Sequence, residues 1–334
     1  MRLPKKRRGQ NGMHKMILLA AGVCQGSFGL GYKDYRPFPW ALFWLIYNLL
    51  CLAVAGIWAF VQIPGLAGVY GAHGREVLVI FICGLLWGAS AVCFTKGVDL
   101  LGMALLYGIS MGISIIGGSL LPLFLSPAML GAAHKMELGA GLALSAAGIL
   151  LVTAGGKIRD ARQKTGNSRQ GMILAVFSGL GSALMNLGFE YGKGMGAQLQ
   201  TMMVSEAGIS AASWFLVILG GNLAAAVYCV PQLRRKEMAD ILQRERRASA
   251  GRILKLILTA LVWYSALCLY GIYSSLAGEY GSVTGWVIFN ALALIVSNLW
   301  GIVMGEWKGA GRGLGYVLAG NAVMIAAWIF LARV

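Results

Sequence analysis

The chain of 334 residues is 58% hydrophobic and only 12% charged, with a mean hydropathy of +0.72. A soluble globular domain carries roughly 25% charged residues, so a water-soluble particle of this size is excluded for want of polar surface. The net charge of +16 comes from short basic runs set between long apolar stretches, which fits the positive-inside bias of membrane proteins and not a nucleic-acid partner. Glycine, at 48 residues without a G-X-Y period, suits helices that approach closely in lipid.

A helix needs about 20 apolar residues to cross a bilayer. On that basis the sequence predicts spans near 16–32, 40–62, 77–95, 101–125 and 138–156, preceded by a basic tail at 1–15. A basic linker at 157–170 follows, then five more spans near 171–192, 211–231, 252–275, 283–304 and 313–332. Only a few residues separate the third and fourth spans, which predicts a tight antiparallel hairpin. Glycines four apart (Gly22/Gly26, Gly84/Gly88, Gly108/Gly112 and Gly188/Gly192) each put a groove on one helix face.

The two stretches repeat. MILLAAGVCQGS from Met16 is echoed by MILAVFSGLGS from Met172, and GLLWGAS around Trp87 by ALVWYSA around Trp263. The expected fold is therefore all-α: a polytopic membrane protein of ten transmembrane helices, in which residues 1–156 and 171–334 are two five-helix repeats. An odd number of spans per repeat gives the halves opposite orientations in the membrane.

Basic residues orient the chain. The odd-numbered linkers, counted with Arg252 and Lys255 at the start of the eighth span, hold 18 Lys and Arg, the even-numbered ones only Arg75, Lys135 and Lys193. This puts the odd linkers in the cytoplasm and both termini outside, against the vote of the basic tail; a start at Met13 or Met16 would remove most or all of that tail. No small-residue cleavage site precedes the second span, so a signal peptide is not expected. The six cysteines lie inside apolar stretches without CxxC spacing, and His14, His73 and His134 form no cluster, so no metal or cofactor is expected.

Around the third and fourth spans the chain reads GLLWGASAVCFTKGVDLLGMALLYGISMGISIIGGSLLPLF. With QGSF at Gln25–Phe28, the Trp40/Trp44 pair, the sixth span GMILAVFSGLGSALMNLGFEYGKGM and GEWKGAGR near the end, it resembles the L-rhamnose–proton symporter family of the drug/metabolite transporter superfamily. The matching positions include Trp87, Gly88, Leu101, Gly102, Met103, Gly108, Gly112 and Gly118, then Gly179, Ser182, Ala183, Lys193 and Met195, and finally Glu306, Trp307, Ala310, Gly311 and Arg312. The resemblance implies secondary transport of a rhamnose-like sugar with a proton, in a bacterial inner membrane. The chain departs from the family pattern at Ala91 and Cys93, where the family has Asn, at Asp99 in place of Arg, and at Ala41 in place of Glu. Amide groups that hold sugar hydroxyls are thereby lost.

Charges inside a span cost about 2.5–3.5 kcal/mol at the helix centre and so face a cavity or the interface. Glu190 and Lys96 are the candidates. In a low-dielectric cavity a carboxylate favours its protonated form, so Glu190 is the candidate proton carrier and Lys96 its partner or the substrate's; the alternative is that both snorkel at the interface. Trp87, Trp263, Tyr264 and Trp286 are candidate sugar-stacking residues, against the alternative of an interfacial belt. Gln25, Asn186 and Asn290 are candidate hydrogen-bonding groups, as is Asn298, each of which can instead tie neighbouring helices together. Glu306 and Arg312 read as a turn clamp.

The expected function is proton-coupled sugar uptake through a midplane site built by spans one, three, four, six, eight and nine. Export or exchange on the same fold remains open. An enzyme would need a motif such as HEXXH, and a primary pump a Walker A loop; the chain has neither. The expected topology has a direct check. Cysteines placed in linkers 157–170 and 232–251, on a cysteine-free background, should resist an impermeant thiol reagent added to intact cells; strong labelling would reverse the orientation.

Overall fold

The computed structural model describes residues 5–32, 36, 38–101, 103–124, 132–159, 168–233, 246–278 and 280–331. The basic linker 157–170 and the linker 232–251 lie mostly outside this set. Among the described residues there is no strand. The long helices are α1 (Lys5–Ser27), α2 (Trp40–Gln62), α4 (Gly74–Leu101), α5 (Met103–Leu120), α6 (Ala132–Arg159), α7 (Ser168–Tyr191), α9 (Glu206–Cys229), α10 (Arg246–Leu276), α11 (Gly281–Val303) and α12 (Gly311–Leu331).

Nine of these are long and apolar enough to cross a membrane. The exception is α1, whose amino half is diluted by Lys5, Lys6, Arg7, Arg8 and Lys15. The basic tail is thus no separate segment from Lys5 onward but the first turns of a helix. Its apolar half lies beside α11: a Cβ on Gly22 would collide with Leu292, and one on Gly26 would sit 2.6 Å from Val296 Cβ. The equal offset makes α1 and α11 parallel, so α1 occupies the same slab as a spanning helix.

Two short helices were not legible as apolar runs, α3 (Leu66–Ala72) and α8 (Gly196–Thr201). They cap the face that carries the second and sixth linkers. His73, just after α3, meets Gln198 of α8 with Nε2 2.8 Å from Oε1, and the Tyr70 hydroxyl donates to the Ala212 carbonyl at 2.8 Å.

Glycine sets the helix spacings. In hydrocarbon no hydrophobic force separates helix from lipid, so close backbone contact must supply the attraction. A Cβ on Gly84 would strike the Val217 carbonyl, and one on Gly88 would lie 2.5 Å from that of Gly221. Gly188 of α7 faces Cys83, and Gly192, in the 3-10 turn that follows it, faces Ser213. Three of the four spaced pairs therefore work as pairs. In the fourth, Gly108 faces Thr153 but Gly112 has open space around it.

The packing is symmetric under exchange of the two runs of five long helices. Helix α4 packs on α7 and α9 as α10 packs on α1 and α2; α5 packs on α7 and α6 as α11 packs on α1 and α12. Three further contacts, α2 on α9, α5 on α11 and α6 on α12, join counterparts to each other, while α10 packs on α9 without a comparable contact of α4 on α2. Directions alternate throughout: serine pairs Ser110–Ser178 and Ser114–Ser182 share an offset of 68 residues, so α5 and α7 run parallel.

The glycine contacts make a paired prediction. Gly84→Ala should lower the melting temperature in detergent by several degrees, because the methyl group must push α4 off the α9 backbone. Gly112→Ala should leave it unchanged or raise it, since alanine favours helix over glycine by about 1 kcal/mol.

Candidate functional site

The interior splits into two regions along the membrane normal. In the first, toward the odd-linker face, Trp87 of α4 and Trp263 of α10 stack with centroids 5.8 Å apart and planes 8° from parallel. Helices α4 and α10 share no extended packed face, so this ring pair is their main bridge. Trp263 and Tyr264 are buried, while Trp87 is half-buried with the edge of its ring over Gly221. Antiparallel packing of α1 on α10, with Gly31 against Thr259, puts Gln25 level with Tyr264. The Gln25 Oε1 atom is buried and has no hydrogen-bond partner. An orphan acceptor costs about 1–3 kcal/mol.

The second region, toward the even-linker face, is a closed network. Asn186 donates from Nδ2 to the Gly118 carbonyl at 2.7 Å, and its Oδ1 accepts from the Tyr270 hydroxyl at 2.5 Å. Tyr270 also lies 3.2 Å from the Ser282 carbonyl, Ser119 donates to the Val283 carbonyl at 2.8 Å, and Trp286 Nε1 donates to the Ser114 carbonyl at 3.0 Å. Four helices, α5, α7, α10 and α11, are tied by these bonds. Around them Phe189, Trp214, Tyr270, Trp286 and Phe289 pack with exposures of 0–2%.

The candidates from sequence therefore separate. Gln25, Trp87, Trp263 and Tyr264 gather at one level. Asn186 and Trp286, expected to face substrate, instead spend their donors on helix-to-helix bonds. Asn290 donates to the Trp286 carbonyl of its own helix at 2.9 Å, and Asn298 reaches Asn321 at 2.9 Å. Tyr270 was missed by sequence reasoning, because a tyrosine in an apolar run carries no signal of the bonds it makes across helices.

Glu190 is the one buried charged residue among the described residues. It sits one turn beyond Asn186, and its Oε2 pairs with Lys193 Nζ at 2.7 Å. The expected partnership with Lys96 is not formed. Gly97 lies against Leu174, whereas Gly188 lies against Cys83, so the antiparallel register separates Lys96 from Glu190 by on the order of 20 Å. Lys96 is exposed near the carboxyl end of α4 and snorkels, its ammonium 5.0 Å from the centre of the Tyr228 ring. Of the departures from the family pattern, Ala41 is buried and Cys93 half-buried, while the side chain of Asp99 lies outside the described residues.

At the odd-linker face Glu306 pairs with Arg159 at 3.4 Å, and the Arg159 guanidinium lies 4.8 Å from the Trp307 ring centre. This pair ties the last linker to α6. A pocket between α6, α11 and α12, lined by Ser145, Leu292, Met324 and Trp328 among others, is apolar and includes none of the candidate residues.

The Asn186 network has its own test. Asn186→Leu would leave the Gly118 carbonyl and Tyr270 hydroxyl buried without this partner, a loss of about 1–3 kcal/mol, and should lower the melting temperature in detergent. A variant that melts like the wild type but binds sugar more weakly would move Asn186 to the substrate.

The comparisons with known proteins agree with this architecture. L-rhamnose-proton symporters of Salmonella gallinarum and Cronobacter sakazakii are 24% and 23% identical to the chain, over 93% of it and 93% and 92% of themselves. A solved crystal structure superposes with a TM-score of 0.55 at 15% identity, covering 96% of this chain and 98% of its own, which shows the fold alone. With these relatives and nine apolar helices, the chain is a multi-pass protein of the cell membrane. The family described as L-rhamnose-proton symport protein (RhaT) matches residues 12–332, and the chain belongs to that family.

Proposed function

We propose that the chain is a proton-coupled symporter that carries a small, rhamnose-like sugar across the membrane by alternating access. The observation that carries this reading is the Trp87–Trp263 stack. The two residues occupy matching places in the two sequence repeats and meet ring to ring between α4 and α10. Indole rings stack on the apolar face of a pyranose and donate one hydrogen bond, and the orphan Gln25 carbonyl at the same level can accept one from a sugar hydroxyl.

Residues 1–156 and 171–334 form the two moving parts in this proposal, an inverted repeat whose symmetry is supported by the exchange of helix contacts. The network around Asn186 closes the even-linker side. Glu190, one turn away from it, is the proposed proton carrier: as a carboxylate it holds Lys193, and on taking a proton it releases that lysine. The release would loosen the end of α7 next to the Tyr270 lock. Proton binding on one side would thereby favour opening there, and transport follows if sugar binding is needed to close again. Export on the same fold has less support, since the curated relatives above are symporters and the family is one of transporters, not enzymes.

The test is uptake of a panel of labelled sugars, L-rhamnose among them, into proteoliposomes with and without an imposed pH gradient. Wild-type protein should concentrate at least one sugar only when the gradient is present. Trp87→Ala and Trp263→Ala should weaken its affinity. Glu190→Gln, which cannot titrate, should abolish gradient-driven accumulation but preserve exchange of labelled for unlabelled sugar. A variant that accumulates at the wild-type rate would leave Glu190 an ordinary helix-end ion pair, and no proton-dependent uptake of any sugar would overturn the symport reading.

A further inference from the structure

The rings around the tryptophan pair are ordered. Trp40, Trp44 and Tyr47 are spaced four and three residues apart on α2 and so share one helix face. Trp40 stacks on Trp44 with centroids 5.7 Å apart, Trp44 meets Tyr47 at 5.8 Å, and Tyr47 meets Trp263 at 6.3 Å. At the other end Trp40 touches Tyr228 of α9 edge-on at 6.1 Å, where the Lys96 ammonium also sits. Six rings from four helices run in unbroken contact from the odd-linker rim to the Trp87–Trp263 pair.

Tryptophan and tyrosine commonly form a belt against lipid headgroups, but the register of α2 points these rings elsewhere. They continue the side of the helix that holds Cys51, Ala55 and Ala59, each at most 2% exposed. The lipid-facing row is Leu49, Ile57 and Val61, exposed by 52–71%. Trp40, Trp44, Tyr228 and Trp87 nevertheless keep accessible surface. These rings thus continue the inward side of α2 and remain partly accessible. In the even-linker half the aromatic residues around Asn186 are packed shut.

We propose that this line of rings is the sugar's route between the tryptophan pair and the odd-linker face, a series of stacking subsites for the apolar side of a pyranose. Neighbouring rings 5.7–6.3 Å apart are about one sugar ring from each other, so each step exchanges one stack for the next before the first is lost. Passage needs sites that hold substrate and release it, and several weak sites in series meet that need. Tyr228 and Trp40 form the rim, and the Lys96 head keeps the rim hydrated. This inference rests on the symport reading and specifies where its substrate moves.

The experiment combines transport with accessibility. In proteoliposomes carrying labelled L-rhamnose or whichever panel sugar the wild type concentrates, Trp40→Ala and Trp44→Ala should each raise KM about three- to tenfold, the size of one lost aromatic stack. Trp44→Phe should restore most of the affinity, and Phe177→Ala, on the lipid-facing side of α7, should change nothing. On a cysteine-free background, Trp44→Cys should react with a small hydrophilic thiol reagent offered from the odd-linker side, and the transported sugar should slow that reaction. Normal sugar uptake with unchanged KM in both alanine variants, or with no labelling at position 44, overturns the route and leaves the symport reading standing. Failure of the unaltered protein to take up any sugar overturns both.

Discussion

Close backbone contact at glycine is the constraint on which the rest of this molecule depends. A helix in lipid gains nothing by hiding leucine from hydrocarbon, so association relies on packing that only small residues permit. The contacts that matter join the first five long helices to the second five: Gly84 and Gly88 on α9, Gly181 and Gly188 on α4, Gly22 and Gly26 on α11, Gly148 and Gly155 on α12. Each half is therefore built less against itself than against the other. That arrangement suits a machine whose halves must shift together, because smooth glycine surfaces can slide where interlocked large side chains cannot.

Polar groups divide the work along the membrane normal. On the even-linker side the buried donors of Asn186, Tyr270, Trp286 and Ser119 all have carbonyl or amide partners on other helices. A network satisfied in this way is stiff, and a partner lost from it is costly. On the odd-linker side the aromatic rings dominate, the amide oxygens of Gln25 and Asn222 are left without a partner, and the inward-facing surface stays partly accessible. The helix bundle thus presents a hydrogen-bonded network at one end and a partly accessible aromatic lining at the other.

Charge is placed with the same economy. Lys96 and Lys193 both keep their ammonium groups partly exposed, and only Glu190 is carried into the buried part of a helix. A lysine beside a buried carboxylate offsets part of the desolvation cost. Glu190, the one buried charged residue among the described residues, stands one turn from the Asn186–Tyr270 bond.

Much of this was legible in the sequence. Runs of apolar residues set nine of the ten long helices and the apolar half of α1, since length and hydropathy alone decide whether a segment can cross a bilayer; the glycine pairs marked the tight faces, and the echo of GLLWGAS in ALVWYSA marked the two tryptophans that meet. Residue type inside a span, however, says only that a group must find a partner, not which one. Asn186 and Trp286 read as sugar ligands and proved to be ties between helices, because their donors meet backbone carbonyls that close packing leaves within reach. Lys96 read as a partner of Glu190 or of the substrate, or as an interfacial residue, and it stands at the opposite end from Glu190, because the antiparallel register of α4 and α7 fixes the distance between them and no single sequence records a register. Tertiary structure alone brought Trp40, Trp44 and Tyr47 into line with Tyr228 and Trp263, since helices far apart in the chain must first pack before their rings can touch.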